Sequence, residues 1–324
     1  MPNGEAYYQD KVKYHTTLDR SAQEIHKIGK QEVDRIRKQM MEIVRQEGYQ
    51  NFDSFIKFLR TDEQFYADTE EELMKEYAYV LKQLDGMLLE YFKKLPRTPY
   101  GIKKIPEYQG SQSTAAYYMP PPSNGSRPGI FYINTYDLSA RPLYEIEALA
   151  VHEAVPGHHL QNAIKVEQDA LPAFRKHANL YAYSEGWGLY AEWLGKEMGI
   201  YDDHYSKFGR LSYEMLRAMR LVVDTGMHAL GWSRQKAIDY MLANSAMSEL
   251  DVKNEVNRYI SWPGQALAYK MGELKIQSLR KEAEKELGDD FNVREFHNVI
   301  LQNGALPLDL LEKEVQEYIH RKEH

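Results

Sequence analysis

Val151-His152-Glu153-Ala154-Val155-Pro156-Gly157-His158-His159-Leu160-Gln161 gathers three of the chain's eleven histidines around a glutamate and a Pro-Gly pair. A common zinc-hydrolase signature is H-E-x-x-H on a helix. Two imidazoles four residues apart share a face, and the glutamate beside the first acts as general base on metal-activated water. His152 and Glu153 open that signature, but Pro156 stands where the second histidine belongs. On a straight helix six residues turn through about 600°, which leaves His158 about 120° off the His152 face. Seven residues restore the face at His159, roughly 10 Å along the axis, whereas zinc–nitrogen bonds are about 2.1 Å. Proline, however, disfavours the α conformation at Val155, and Gly157 is free to take positive φ. A break at Pro156-Gly157 that absorbs two residues returns His158 to the ligand position, with His159 as the alternative. A plain helix break with incidental histidines is the competing reading.

The surrounding composition limits the chemistry. The 324 residues are 43% hydrophobic and 27% charged, enough length and apolar content for a buried core. The chain has no cysteine. Disulfides, thiol nucleophiles, zinc fingers and cysteine-held iron–sulfur clusters are therefore excluded, and a metal must be held by His, Asp, Glu and other oxygen ligands. Lys and Arg total 41 against 48 Asp and Glu, a net charge of −7, which gives no reason to expect a nucleic-acid partner. No apolar run reaches the roughly 20 residues that span a bilayer. The opening MPNGEAYYQDKVKYH lacks an apolar signal-peptide core, so a cytoplasmic location is expected unless the N-terminus is truncated.

Outward from the His-Glu stretch, helices dominate. Ser21 with Glu24 and Thr69 with Glu72 fit capping boxes. Ile25, Ile28, Val33, Ile36, Met40 and Ile43 follow the first at helical spacing, and Leu73, Tyr77, Val80, Leu81, Leu84, Met87 and Leu88 follow the second. After Pro96 the texture changes. The runs 114–118 and 129–134 are rich in aromatic and β-branched residues around a loop at Pro120–Gly125, and predict a hairpin or small sheet. Helices are predicted at 142–155, 158–169, 183–198, 204–230, 233–244, 248–260, 265–287 and 307–321. The fold class is mainly α with a small β-sheet. Residues 1–98 read as a helical region packing on the core and 99–324 as the site-bearing region, or the two as one continuous domain.

Ser184-Glu185-Gly186-Trp187-Gly188 resembles the N-E-G-F-A-like helix of gluzincin metallopeptidases, with Ser for Asn and Trp for Phe. In those enzymes the glutamate completes the zinc site, so the resemblance implies Zn2+ held by His152, His158 and Glu185. Alone, Glu185 reads as a helix-start acid favoured by the macrodipole. Glu192, two turns on, reads as a supporting or structural carboxylate. In order, HEAVPGHHLQ, SEGWGLYAE, RLVVDTGMH and RYISWPGQALAYKMG resemble the bacterial domain-of-unknown-function 885 family, from near Tyr7 to the C-terminus. Its members are regarded as thermolysin-like zinc metallopeptidases, which implies a thermolysin-like zincin catalytic core. They are usually longer, so this chain is expected to be their C-terminal, metal-bearing part. The same resemblance implies that the 129–134 strand is a sheet edge for an extended peptide.

Peptide hydrolysis also needs a donor for the tetrahedral oxyanion. Tyr259 and Tyr269 are candidates, and Arg258 suits a substrate carboxylate through its planar fork. Arg217, Arg220, Asp224 and His228 form one polar stripe on an otherwise apolar helix. It is either a surface stripe or a buried network lining the site, with His228 as a substrate contact. The function expected is zinc peptide hydrolysis on a peptide substrate, carboxypeptidase- or dipeptidase-like, with Glu153 as base. The alternatives are a zinc amidohydrolase acting on a non-peptide amide, and an inactive helical interaction protein.

Overall fold

The computed structural model describes residues 3–122 and 124–323; Ser123, in the expected loop, lies outside the described residues. The chain is mainly helical with one small sheet. It begins with α1 (Gly4–Thr16), α2 (Ala22–Gln46), α3 (Phe52–Thr61) and α4 (Glu70–Tyr91). Ser21 and Glu24 cap α2 reciprocally, as the capping box requires. Thr69 caps α4 through the Glu72 N–H, but Glu72 reaches past it to accept the Asp68 N–H (2.8 Å), so only half of the second box forms.

Next come β1 (Tyr100–Lys104), α5 (Glu107–Gly110), β2 (Ala116–Met119) and β3 (Gly129–Ile133). β2 pairs antiparallel with β3, Ala116 opposite Ile133 and Met119 opposite Ile130, which is the hairpin expected. β1, not anticipated, pairs parallel with β3, Tyr100 opposite Gly129 and Lys104 opposite Ile133. The strand order is therefore β1-β3-β2. β3 is central and has both edges paired, which overturns the expectation that it offers a free edge to a peptide.

The remaining helices are α6 (Ile146–Glu153), α7 (His158–Val166), α8 (Ala173–His177), α9 (Tyr181–Met198), α10 (His204–Ala229), α11 (Arg234–Asn244), α12 (Glu249–Ser261), α13 (Ala268–Leu287), α14 (Val293–Leu301) and α15 (Leu308–Glu323). α6 starts later than the sequence suggests, because two short 3-10 turns precede it. α14 falls in a stretch where no helix was predicted.

Two large apolar cores, with a small third one around Val12, Ile25 and Leu267, organise these elements. One joins the sheet to α4, α6, α9, α13 and α15, with Trp187, Tyr190 and Phe131 fully buried. The other joins α2 and α3 to α10, α11 and α12 through Ile36, Phe55, Phe208 and Val256. α13 lies along α9 and α2 along α10. The α9–α13 crossing is close: a Cβ on Gly272 would stand 1.9 Å from the Ala182 carbonyl oxygen. α9 also packs on α6 and α7, and its Trp187 indole reaches the break between them.

Candidate metal centre

The break between α6 and α7 is tied from three sides. The Gly157 N–H donates to Val151 O, the His159 N–H to Ala154 O and the Trp187 indole to Pro156 O, each at 2.9 Å. The Val155–Pro156 peptide is cis. Gly157 has φ −75°, not the positive φ its freedom suggested. Its constraint is steric, since a Cβ would lie 2.0 Å from the His152 carbonyl oxygen.

This turn brings His158 against His152, with ring centroids 4.7 Å apart and planes at 84°. Glu185, near the start of α9, reaches both. Its Oε2 lies 3.6 Å from His152 Nε2 and 3.4 Å from His158 Nε2. One ligand atom from each of the three lies within 4.8 Å of the others. Ligand atoms on a tetrahedral ion with bonds of about 2.1 Å stand about 3.4 Å apart, so both nitrogen–oxygen separations suit such an ion. His159 is committed elsewhere: Tyr118 donates to its Nδ1 (2.8 Å) and its Nε2–H donates to Thr98 O (3.1 Å). Burial holds it down to about 4. Of the two candidates for second ligand, His158 is the one in place.

Glu192 does more than its two-turn spacing suggested. The His152 Nδ1–H donates to Glu192 Oε1 at 2.6 Å, which leaves the Nε2 lone pair directed at the cluster. The backbone of α9 leaves room for that ring, because a Cβ on Gly188 would fall 2.7 Å from His152 Cε1 and 2.9 Å from Nε2. Burial alone would lower the His152 imidazole, but hydrogen bonds to Glu185 and Glu192 outweigh it and raise it to about 9. Burial pushes Glu185 up, and the two imidazoles more than reverse that, holding it well below the usual carboxylate range. Without a metal, hydrogen bonds from the two imidazoles hold Glu185. A divalent cation would supply the positive charge that the buried carboxylate requires.

Glu153 ends α6 beside His152 and is partly exposed. Its carboxylate makes no hydrogen bond or ion pair among the described residues. Tyr269, in the first turn of α13, has its ring 4.6 Å from the Arg220 guanidinium. Burial raises its hydroxyl, and the charge of Glu185 raises it further. The Tyr259 hydroxyl is not free to bind an oxyanion: it donates to Glu255 in a short hydrogen bond and accepts from Arg220 Nε (3.1 Å). Arg258 donates to Gln265 and lies over Trp262 at 5.5 Å; among the described residues no carboxylate pairs with it. His228 donates to Tyr259 O (3.0 Å) and stacks on Tyr8. Neither Arg258 nor His228 makes a hydrogen bond, ion pair or ring contact with the His152–His158–Glu185 trio.

The stripe on α10 is buried rather than superficial: Arg217 and Arg220 are 7% exposed and Asp224 is 0%. It serves separate partners. Arg217 Nη2 lies 3.6 Å from Glu192, Arg220 pairs with Glu255 at 2.9 Å, and Asp224 accepts from Tyr8 (2.5 Å) and from the Gly264 N–H (3.0 Å). Sequence reasoning passed over Gly188 and the pairing of Arg217 with Glu192. The signal for the first was present: two glycines inside a helix, Gly186 and Gly188, mark a close approach.

A model of the family described as "Bacterial protein of unknown function (DUF885)" matches residues 1–315. Two solved structures are similar. One, described as a "putative lipoprotein" from Colwellia psychrerythraea, has 39% sequence identity and a TM-score of 0.97 over 99% of this chain and 56% of its own. The other, a "putative lipoprotein of unknown function" from Shewanella oneidensis, has 17% identity and a TM-score of 0.80 over 95% of this chain and 59% of its own. The second likeness is one of fold. The chain thus spans under two thirds of either solved protein. No curated protein matches.

Proposed function

The chain belongs to DUF885, and we propose that it is a zinc-dependent metallopeptidase with a gluzincin-type, thermolysin-like core. The observation that carries this reading is the convergence of His152 Nε2, His158 Nε2 and Glu185 Oε2, with His152 oriented from behind by Glu192. The donor set of two imidazoles and one carboxylate suits zinc, and leaves a fourth tetrahedral position for water. When bound, zinc would polarise that water and the scissile carbonyl.

The remaining roles fall to the chain itself. Glu153, partly exposed and unpaired among the described residues, takes the proton of the attacking water and returns it to the departing amine. Tyr269 is the candidate hydroxyl for the developing oxyanion. Arg258, half-buried and without a carboxylate partner among the described residues, is suited to a substrate carboxylate, which favours carboxypeptidase- or dipeptidase-like cleavage. His228 is a weaker candidate for substrate contact, since its Nε2 is already bonded to the Tyr259 carbonyl. The names of the solved neighbours favour a cell-envelope location over the cytoplasm, and fractionation of the source cells decides between them.

The test is metal analysis combined with Glu153→Gln. Purified protein is expected to hold about one zinc, and the variant to keep that zinc while losing hydrolysis of a peptide library. A preparation that takes up no zinc refutes the reading. Cleavage of acylated amines but of no peptide would move the assignment to a non-peptide amidohydrolase.

A further inference from the structure

We infer that Arg217 is a positioning residue for the metal centre, acting through Glu192 on His152. The inference rests on the zinc reading above. Glu192 is 2% exposed, and its Oε1 accepts the His152 Nδ1–H at 2.6 Å. A carboxylate that deep in the protein is held by the few groups that face it. Arg217 faces it from behind: its Nη2 lies 3.6 Å from the oxygen that holds His152.

Arg217 is itself fixed. Its Nη1 donates to Tyr213 O (3.2 Å), and its guanidinium lies over the Tyr213 ring at 4.8 Å. The Tyr213 hydroxyl in turn donates to Glu145 (3.0 Å), so α10 presents one continuous arm from the start of α6 to the rear of the His152 ring. Glu192 is anchored at one oxygen only, because its Oε2 is buried with no partner among the described residues. Without Arg217, His152 is the one side chain among the described residues that holds the rotation of that carboxylate. The consequence falls on metal binding. An aligned Glu192 accepts the Nδ1–H, keeps the Nε2 lone pair directed at the ion and makes it a stronger donor.

Zinc dissociation constants, measured by competition with a chromogenic chelator at one pH, test this alongside melting temperatures of the metal-stripped proteins. Arg217→Met should weaken zinc binding about 10–100-fold, and Arg217→Lys should recover part of the loss. Arg217→Met combined with Glu192→Gln should bind no more weakly than Glu192→Gln alone, since both act along one path. A folded Arg217→Met protein with wild-type zinc affinity overturns the inference, as does a double variant whose losses multiply. If Arg217→Met does not fold, Arg217→Gln and Glu192→Gln carry the test, and unchanged zinc affinity in either overturns it. A wild-type chain that binds no zinc refutes the zinc reading itself, whereas zinc-loaded wild type with unaffected variants refutes only the role of Arg217.

Discussion

Gly188 has no side chain, and the His152 imidazole occupies the space one would fill. A methyl group there would stand within 3.0 Å of three ring atoms. The ring is hydrogen-bonded to Glu192 and faces His158 and Glu185, so it cannot slide aside without losing one of them. Gly188→Ala should therefore act on the site more than on the fold. Alanine is the better helix former by about 1 kcal/mol, which offsets part of the steric cost in α9. The expected result is a melting temperature within a few degrees of wild type and zinc affinity at least tenfold weaker, on the scale of lost ligand orientation. Chelator competition and a thermal melt measure both, and unchanged zinc affinity would show that the ring has freedom these contacts deny it.

Three long helices, α2, α10 and α13, meet around a buried lysine. Lys270 is 0% exposed, with Nζ 2.8 Å from Glu214, 3.1 Å from Glu32 and 2.5 Å from Glu273. Arg210 pairs with Glu214 at 2.8 Å and Arg35 with Glu32 at 2.7 Å. Removing one member of a buried ion cluster leaves its partners uncompensated, at a cost of about 3–5 kcal/mol. Lys270→Met should lower unfolding stability by that amount in urea titrations at neutral pH. A loss under about 1 kcal/mol would show that the cluster does not tie the helices together. The contrast with the candidate metal centre explains what the sequence makes legible. His152, His158 and Glu185 can be read because their chemistry is written in local motifs, and the long helices because their apolar residues recur at helical spacing. Lys270, Glu32 and Glu214 are single charges on three separate helices, and only the crossing of those helices buries them. β1 escapes for a similar reason. Tyr100–Lys104 has one aliphatic residue, Ile102, and its parallel partner lies far along the chain, where no turn residue announces the pairing. Gly157 shows the limit even inside the motif: the break was legible, but the reason for glycine is the nearness of a carbonyl one turn back.

Across the whole molecule, buried ionisable groups set the response to acid. Four histidines, His15, His26, His159 and His297, are held below their ordinary value of 6.5, chiefly by burial; His15 and His159 fall to about 4 and His297 to about 3. Four carboxylates are shifted the other way, again chiefly by burial: Glu145, Glu147 and Glu273 to about 7, and Asp224 to about 6. Each histidine binds its proton in the unfolded chain before the folded one, so it withdraws stability as pH falls below 6.5. Each raised carboxylate does the reverse, because the folded chain is protonated while the unfolded chain is still ionised down to about 4.5. Between about pH 5 and 6.5 the proton counts of the two states nearly balance. Below about 4.5 the unfolded carboxylates protonate as well, the compensation ends, and the histidines act unopposed. Glu185, held low against its burial by hydrogen bonds from His152 and His158, and Glu214, held low against its burial by Lys270, Arg210 and Arg35, add to the loss in that range. The expected profile for metal-free protein is nearly level from about pH 5 to 6.5 and falls steeply below 4.5, each unmatched proton contributing about 1.4 kcal/mol per pH unit. Chemical denaturation at half-unit steps of pH measures it directly. A slope above about 1.4 kcal/mol per pH unit across the level region would mean that the two sets of buried groups do not offset each other.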